Sequence, residues 1–258
     1  MTADDVAYFA HPGLNKSSID LLLDCPARYK AMLDGVEEEK DTAALRFGSL
    51  CHTLTLQSET FADQYAVTHL DLRTKEGKLW RESLPEGVQP VSVADYEKAQ
   101  LMADAVRDHP QARVLFAGEN YTAEKAIFWE WNGVECKAKP DIVTEVQGRR
   151  FIVDLKTTES VEPDAIAKSV AKWGYHRQAA WYLLGMESIG KPCAGFLFIF
   201  VEKAYPHLVT MCQLDAPALE RGLQECARAV DILKECRATG KWPCYTREII
   251  EISLPRWA

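Results

Sequence analysis

The sequence lacks the long apolar segments, paired cysteines and leader peptide that mark several common classes of protein. No apolar run reaches the ~18 residues of a membrane-spanning helix. No two cysteines are separated by two residues, as they are in a zinc ribbon. The first five residues, MTADD, are acidic and lack the basic region of a secretory signal. We therefore expect neither a membrane protein nor a secreted one, and predict a cytoplasmic location.

The sequence also lacks an excess of positive charge. It has 30 Lys and Arg against 38 Asp and Glu, a net charge of −8. Proteins that bind nucleic acids are often basic, because phosphate contacts dominate their affinity. The overall charge therefore limits any surface of that kind to a local patch. The basic residues do cluster in two places: Arg73, Lys75, Lys78 and Arg81, with Trp80 among them, and more loosely Lys16, Arg28, Lys30 and Arg46.

The sequence does contain enough apolar residues for one large core. Hydrophobic residues make up 47% of the 258, and there is no internal repeat, so we predict a single domain. Its parts are a mainly helical region at 1–118, a sheet core at 119–203, and a strand, long helix and tail at 204–258. The order of predicted elements implies an α/β fold, with a central mixed β-sheet flanked by helices.

Caps, prolines and hydrophobic periodicity set the predicted element boundaries. We expect residues 1–15 to be a partly ordered lead-in and residues 66–91 to be a long connection without regular structure. The predicted helices are 17–23, one starting at Pro26, Thr42–Gln57, Ser92–Asp108, Pro163–Ala171, Tyr175–Glu187 and Ala216–Thr239. The predicted strands are Tyr121–Trp131, Val134–Val146, Arg150–Leu155, Ala194–Glu202 and Pro206–Leu214.

The most informative pattern is Pro140-Asp141, then twelve intervening residues, then Asp154-Leu155-Lys156. The two segments lie on adjacent predicted strands joined by the turn 147–149, so a hairpin would bring Asp141 and Asp154 together. Paired carboxylates suit a hard divalent cation. Lys156 lies two residues beyond Asp154 and would point to the same face. The pattern favours metal-assisted phosphodiester hydrolysis, although charged residues at a solvated strand edge would give the same sequence.

Two predicted helices carry further candidates at a spacing of four residues, which puts each pair on one helix face. Gly48 and His52 share the first helix, and glycine in mid-helix indicates that something approaches closely there. His52 could be a metal ligand or a core histidine. Gln178 and Tyr182 share the second helix, which could otherwise be an ordinary amphipathic helix with polar residues at the surface.

Four motifs in this order resemble those of the PD-(D/E)xK nuclease superfamily, in its RecB-like branch. The sequence is most similar there to RecE-like nucleases, also called exonuclease VIII, and to related prophage exonucleases. Residues 15–18 and 73–78 resemble RecE-like sequences too, and the resemblance covers residues 11–190. The motifs are Gly48-x3-His52, Pro140-Asp141, Asp154-x-Lys156 and Gln178-x3-Tyr182.

The resemblance implies a restriction-endonuclease-like core and assigns roles to individual residues. The metal ligands would be His52, Asp141, Asp154 and the backbone carbonyl of Leu155, and the ion would be Mg²⁺, with Mn²⁺ able to replace it. Lys156 would orient or help to deprotonate the attacking water. Whether one or two ions bind stays open. The remaining implied site residues are Glu124, which would bind metal through water or a second ion, and Gln178 and Tyr182, which would support the site and the DNA backbone.

The resemblance also implies a function and partners. RecE-like enzymes digest one strand of duplex DNA from its 5′ end and leave a 3′ single strand, on which an annealing protein of the RecT type then loads. We therefore expect an exonuclease of recombination in a bacterial or phage-infected cell, acting on double-stranded DNA ends. Processive relatives form rings around DNA, so we expect a homo-oligomer that uses the last helix and the tail Glu248–Trp257. Candidate DNA contacts are Lys16, Ser17, Arg73, Lys75, Lys78 and Trp80.

Some RecB-like relatives hold an iron–sulfur cluster through one early cysteine and a tight late group. Cys25 has the early position, but the last three of the eight cysteines are ten and eight residues apart. We therefore expect no cluster and free thiols in a reducing cytosol. Two other functions stay open: a structure-specific endonuclease, and a non-catalytic DNA-binding module that keeps the nuclease fold.

Overall fold

The computed structural model describes residues 3–36, 42–246 and 248–256. Its N-terminal part is mainly helical, as predicted. Thr42 and Ser92 cap α4 and α7 through side-chain oxygens, which accept from the backbone N–H groups of Leu45 and Asp95. The elements are α1 (Ala3–Ala10), α2 (Lys16–Asp24), α3 (Pro26–Leu33), α4 (Ala43–Leu56), α5 (Phe61–Gln64), β1 (Tyr65–Thr68), α6 (Lys75–Glu82), β2 (Gln89–Ser92), α7 (Val93–Asp108) and α8 (Pro110–Phe116), with a 3₁₀ turn at Ser58–Thr60.

A five-stranded mixed sheet forms the centre of the remaining chain, which confirms the predicted fold class. Its strand order is β3-β6-β7-β8-β9, in which β7 and β8 run parallel and the other neighbours run antiparallel. The elements are β3 (Glu119–Ala123), β4 (Ile127–Trp131), β5 (Val134–Ala138), β6 (Ile142–Val146), β7 (Arg149–Thr158), α9 (Pro163–Trp173), α10 (Tyr175–Ser188), β8 (Gly195–Glu202), β9 (Val209–Gln213) and α11 (Ala216–Thr239).

Each face of the sheet is covered by its own group of apolar side chains. Successive residues of a strand point to opposite faces, so Ile152 of β7 packs with α10 and α11, whereas Val153 and Leu155 pack with α4 and α7. Helices therefore cover both sides of β7. Asp154 and Lys156 point to the same face of the sheet as Ile152, towards α10.

Two predicted strands are each broken into two, which corrects the expectation from sequence. Tyr121–Trp131 is interrupted at Glu124, whose φ of 53° lies in the left-handed region. Val134–Val146 is interrupted at 139–141, because Pro140 has no N–H to donate to a strand ladder. The inner pieces, β4 and β5, form a separate antiparallel hairpin.

Two segments expected to lack regular structure contain helices and strands. The lead-in carries α1, and Lys137 on β5 fixes it by donating hydrogen bonds to the carbonyls of Tyr8 and His11 at 2.7 Å each. The connection at 66–91 contains most of β1, which pairs in parallel with β2, and also α6. These were missed because each element is short and gains its stability from long-range contacts.

Helix lengths and tail exposure bear on two further expectations. Within the described residues, no helix combines the length and apolarity that crossing a bilayer requires.

The tail at 248–256 carries exposed apolar side chains, with Ile252 81% and Leu254 83% exposed. Trp257, which we predicted to be part of an interface, lies outside the described residues. The division at 118 and 203 and the assembly role of the tail stay predictions.

Candidate active site

The hairpin of β6 and β7 brings two acidic residues together, as the sequence predicted. A two-residue turn, Gln147-Gly148, joins the strands, and Ile142 pairs with Val153 across them. Asp141 immediately precedes Ile142, and Asp154 immediately follows Val153, so the two carboxylates lie at the same end of the hairpin. Both turn residues have positive φ, as a tight hairpin of this kind requires. Asp141 Oδ2 accepts a hydrogen bond of 2.9 Å from the N–H of Leu155. Asp141 is 9% and Asp154 1% exposed.

Lys156 lies beside these carboxylates, on the same face of β7 as Asp154. Its Nζ is 2.6 Å from Asp154 Oδ2 and 4.9 Å from the ring centroid of Tyr175. Burial lowers the pKa of Lys156, but the charges of Asp154 and Asp141 outweigh burial, so the pKa is raised overall. The side chain is therefore a fixed ammonium group rather than a general base at neutral pH.

His52 reaches the same carboxylates from α4. Its Nδ1 lies 3.4 Å from Asp141 Oδ2, and the side chain is partly exposed rather than enclosed in the core. Gly48, one turn earlier, also lines the groove. Apart from its own helix backbone, a Cβ built on Gly48 would meet no described protein atom within 4 Å, so the close approach that we expected there stays a prediction.

Glu124 completes a three-residue cluster because the chain breaks between β3 and β4. One ligand atom from each of His52, Glu124 and Asp141 lies within 4.8 Å of the others. The left-handed backbone of Glu124 is held by its N–H, which donates to the carbonyl of Asp141 at 3.0 Å. Strained residues of this kind persist where the surrounding structure enforces them, often at functional sites.

The crowding of acidic groups shows what kind of ion these residues fit. Burial, followed by the charges of Asp154 and Glu124, raises the pKa of Asp141 to about 7, although His52 and Lys156 oppose the shift. A hard divalent cation would neutralise that charge, and the imidazole and two carboxylates fit one. Asp154, whose oxygens face Lys156 and Gln178, is not part of this set of three. The Leu155 carbonyl stays a predicted ligand.

The helix α10 supports the site from behind. Gln178 Nε2 donates to Asp154 Oδ1 at 2.5 Å, and both residues are buried. Tyr182, one turn later, is buried as well, and burial raises its pKa well above the usual value. These two residues therefore face the interior rather than the surface. Tyr182 does not line the groove, so its predicted contact with the DNA backbone would have to be indirect.

Two side chains that sequence reasoning missed hold Glu124 in place. Lys139 Nζ lies 2.7 Å from Glu124 Oε2 and 2.9 Å from Asp5 Oδ1, so it links Glu124 to α1. Lys139 precedes the Pro140-Asp141 motif and was visible in the sequence. Nothing local in the sequence could show that Asp5, more than a hundred residues away, would meet it.

A family comparison agrees with this geometry. Residues 16–252 match the PDDEXK-like domain of unknown function DUF3799. The chain belongs to this family. The PD-(D/E)xK relationship expected from the motifs is thereby confirmed at the level of the superfamily, whose nucleases use divalent metals. No curated protein matches the sequence of this DUF3799 member.

A solved structure shares the fold of this DUF3799 domain, and a second is more distant. A "Putative exonuclease" from Eubacterium rectale is 17% identical, with a TM-score of 0.67, over 99% of this chain and 97% of that one. A phage-related exonuclease from Haemophilus somnus 129PT is 14% identical, with a TM-score of 0.39, over 90% and 98%. At these identities the first match shows the fold alone, and the second is too distant in shape to carry an argument.

The site of this DUF3799 domain opens into a groove of about 1210 Å³. Its lining includes Leu45, Gly48 and Ser49 of α4, together with residues of α9. His52, Glu124 and Lys156 line it as well. The groove is therefore large enough for a short stretch of polymer, with two residues of the three-residue cluster in its lining.

The predicted DNA-contact residues lie outside this lining. Lys16 is largely buried: its Nζ donates to the Trp173 carbonyl at 2.7 Å and pairs with Asp20 at 2.6 Å. Burial lowers the pKa of Lys16. Ser17 is exposed on α2. The others belong to α6 or the loop before it: Arg73, paired with Asp71 at 2.8 Å, exposed Lys75 and Lys78, and half-buried Trp80. Their role stays a prediction.

Proposed function

We propose that this protein is a divalent-metal-dependent deoxyribonuclease that hydrolyses phosphodiester bonds in the groove between α4 and α9. One observation carries the proposal: His52 and Glu124, which line the groove, converge with Asp141 within 4.8 Å, and the Asp154–Lys156 ion pair lies on the adjacent strand β7. Burying neighbouring carboxylates costs free energy, and a surface with a purely structural role has no need to do so.

The residues divide the chemical work between them. His52, Glu124 and Asp141, with Asp154 and the Leu155 carbonyl beside them, would hold Mg²⁺, or Mn²⁺ in its place. A bound cation of this kind supplies positive charge that lowers the pKa of a water and neutralises a phosphodiester oxygen. The Lys156 ammonium adds fixed positive charge where negative charge develops on the phosphate. Gln178 keeps Asp154 oriented through its amide hydrogen bond.

We further propose that the enzyme is an exonuclease of the RecE type. It would degrade one strand of a DNA duplex from the 5′ end and leave a 3′ single strand for a RecT-like annealing protein, in the cytoplasm of a bacterial or phage-infected cell. The four ordered motifs and the description of the Eubacterium rectale protein as an exonuclease support this proposal. A homo-oligomer built through the apolar tail would keep the enzyme on its substrate.

One assay separates this function from the alternatives. Linear and circular duplex DNA are incubated with Mg²⁺, with Mn²⁺ and with EDTA. We expect metal-dependent loss of the linear DNA alone. Cutting of circles would instead indicate an endonuclease, and intact DNA in every tube would indicate a non-catalytic DNA-binding module.

A second assay addresses polarity. Linear duplexes labelled on one strand, with either a 5′-phosphate or a 5′-hydroxyl end, report which strand is shortened. We expect label on the 5′ end to be released first. Release from the 3′ end would contradict the RecE-type assignment while leaving the nuclease proposal in place.

A further inference from the structure

The helix α9 presents a basic and aromatic surface to the groove that the sequence motifs do not include. Lys168 and Lys172 are one helical turn apart and line the groove, as does Trp173. The opposite side of α9 is fixed in the core through Ile166 and Val170. We call Lys168, Lys172 and Trp173 the α9 strip.

The lysines of the α9 strip are not neutralised by acidic neighbours. In the described part of the chain, neither ammonium has a carboxylate within ion-pair distance. Other lysines of the groove differ, since Lys139 is paired with Glu124 and Lys203 with Glu159 at 2.9 Å. The α9 strip is therefore a concentration of available positive charge beside the site, although the protein as a whole is acidic.

Trp173 is held in place with its ring partly exposed. It ends α9, and its carbonyl accepts a hydrogen bond from Lys16 at 2.7 Å. The side chain is 52% exposed, and Lys172 Nζ lies 4.6 Å from the ring centroid. Two residues later, the ring of Tyr175 contacts the ammonium of Lys156. The backbone of Trp173 is thus held by Lys16 and lies two residues from Tyr175, which contacts Lys156 of the proposed site.

We propose that the α9 strip binds an unpaired DNA strand and guides it to the site, with phosphates on Lys168 and Lys172 and a base stacked on Trp173. This inference rests on the proposed function and names the form of substrate that occupies the groove. Basic residues interleaved with an aromatic side chain suit an unpaired strand, because its bases offer free faces for stacking. Bases in a duplex are already stacked and paired. The groove volume of about 1210 Å³ also suits a short run of nucleotides.

Binding can be measured separately from cleavage in EDTA, where metal-dependent hydrolysis cannot occur. The probes are a short fluorescein-labelled single-stranded oligonucleotide and the blunt duplex of the same sequence, followed by fluorescence anisotropy. The variants are Lys168→Ala/Lys172→Ala, Trp173→Ala and Trp173→Phe. The matched control is Lys234→Ala/Arg237→Ala, which removes two exposed positive charges from α11. Circular dichroism and thermal melting confirm that each variant is folded.

Each variant has a distinct expected result. Trp173→Ala weakens single-strand binding about tenfold, whereas Trp173→Phe retains most of it because a benzene ring still stacks. The double lysine variant reduces the slope of log affinity against log salt by about 0.7 for each phosphate that the protein no longer neutralises. The control changes neither quantity, and duplex binding changes less than single-strand binding in every variant.

Several results would overturn the inference. One is a double lysine variant that keeps the wild-type single-strand affinity and salt slope. Another is an equal loss of single-strand affinity in Trp173→Ala and Trp173→Phe. The third is a larger loss of affinity for the duplex than for the single strand. The result for the proposed function is read separately. If the variants show the binding effects but the wild-type protein digests no DNA with Mn²⁺, the nuclease proposal is refuted. If the wild-type protein digests DNA but the variants bind it unchanged, only the role of the α9 strip is refuted.

Discussion

The side-chain amide of Gln178 donates a hydrogen bond to Asp154 Oδ1 at 2.5 Å, and both residues are buried. This contact joins α10 to the central strand β7. It fixes one carboxylate oxygen while the other faces Lys156. The position of Asp154 is therefore set by α10 as well as by its own strand.

Replacing Gln178 by alanine should damage stability and activity together. The buried Asp154 oxygen would lose its donor, which costs about 1–3 kcal/mol of unfolding free energy. The rate of DNA hydrolysis should fall at least tenfold, because Asp154 loses its orientation. Urea unfolding and initial rates on linear duplex measure both effects. The control is Gln224→Ala, which removes an exposed glutamine on α11; comparable losses there would contradict a specific role for Gln178.

Replacing Asp154 by alanine or Lys156 by alanine should abolish cleavage while leaving the fold intact. The first change removes a carboxylate of the site, and the second removes the ammonium that stabilises negative charge on the phosphate. Initial rates and circular dichroism spectra check this prediction. A folded Asp154→Ala protein that digests linear duplex at the wild-type rate would refute the assignment.

Metal binding should stabilise the protein more strongly as pH rises. Burial and Asp154 raise the pKa of Asp141 from 3.8 to about 7. Without metal, the folded state therefore binds more protons than the unfolded state between about pH 3.8 and 7, so this group lowers stability as pH rises through that window. A cation competes with that proton and binds best once Asp141 is ionised.

Thermal melting with and without Mn²⁺, at a series of pH values, tests this linkage. The increase in Tm caused by Mn²⁺ should grow with pH up to about pH 7 and then level off. Asp141→Asn has no proton to lose, so its response to Mn²⁺ should be small at every pH. A wild-type shift that does not depend on pH would contradict Asp141 as a ligand.

Replacing Gly48 by alanine should separate stability from activity. Apart from its own helix backbone, the added methyl group meets no described protein atom within 4 Å, and alanine favours a helix interior over glycine by about 0.5–1 kcal/mol. The variant should therefore be more stable but digest DNA more slowly, because the methyl group projects into the groove that the substrate occupies. Unfolding curves and initial rates test both parts. Gain of stability with unchanged activity would show that the substrate does not pass Gly48.

The sequence made the central hairpin and its chemistry predictable. The Gln147-Gly148 turn accepts the positive φ angles of a tight hairpin, and the strand period of two then places Asp154 and Lys156 on one face. Helix periodicity likewise placed Gln178 and Tyr182 together on α10. These are local properties, which depend on backbone conformation over a few residues.

The sequence alone determined the α/β fold class, the order of the main elements and the pairing of Asp141 with Asp154. Only the tertiary structure decided that Glu124 joins His52, that Lys139 meets Asp5, and that α9 and α4 line the same groove. Those relationships join segments far apart in the chain. They depend on how helices pack against the two faces of the sheet and on the left-handed break at Glu124, which no local periodicity encodes.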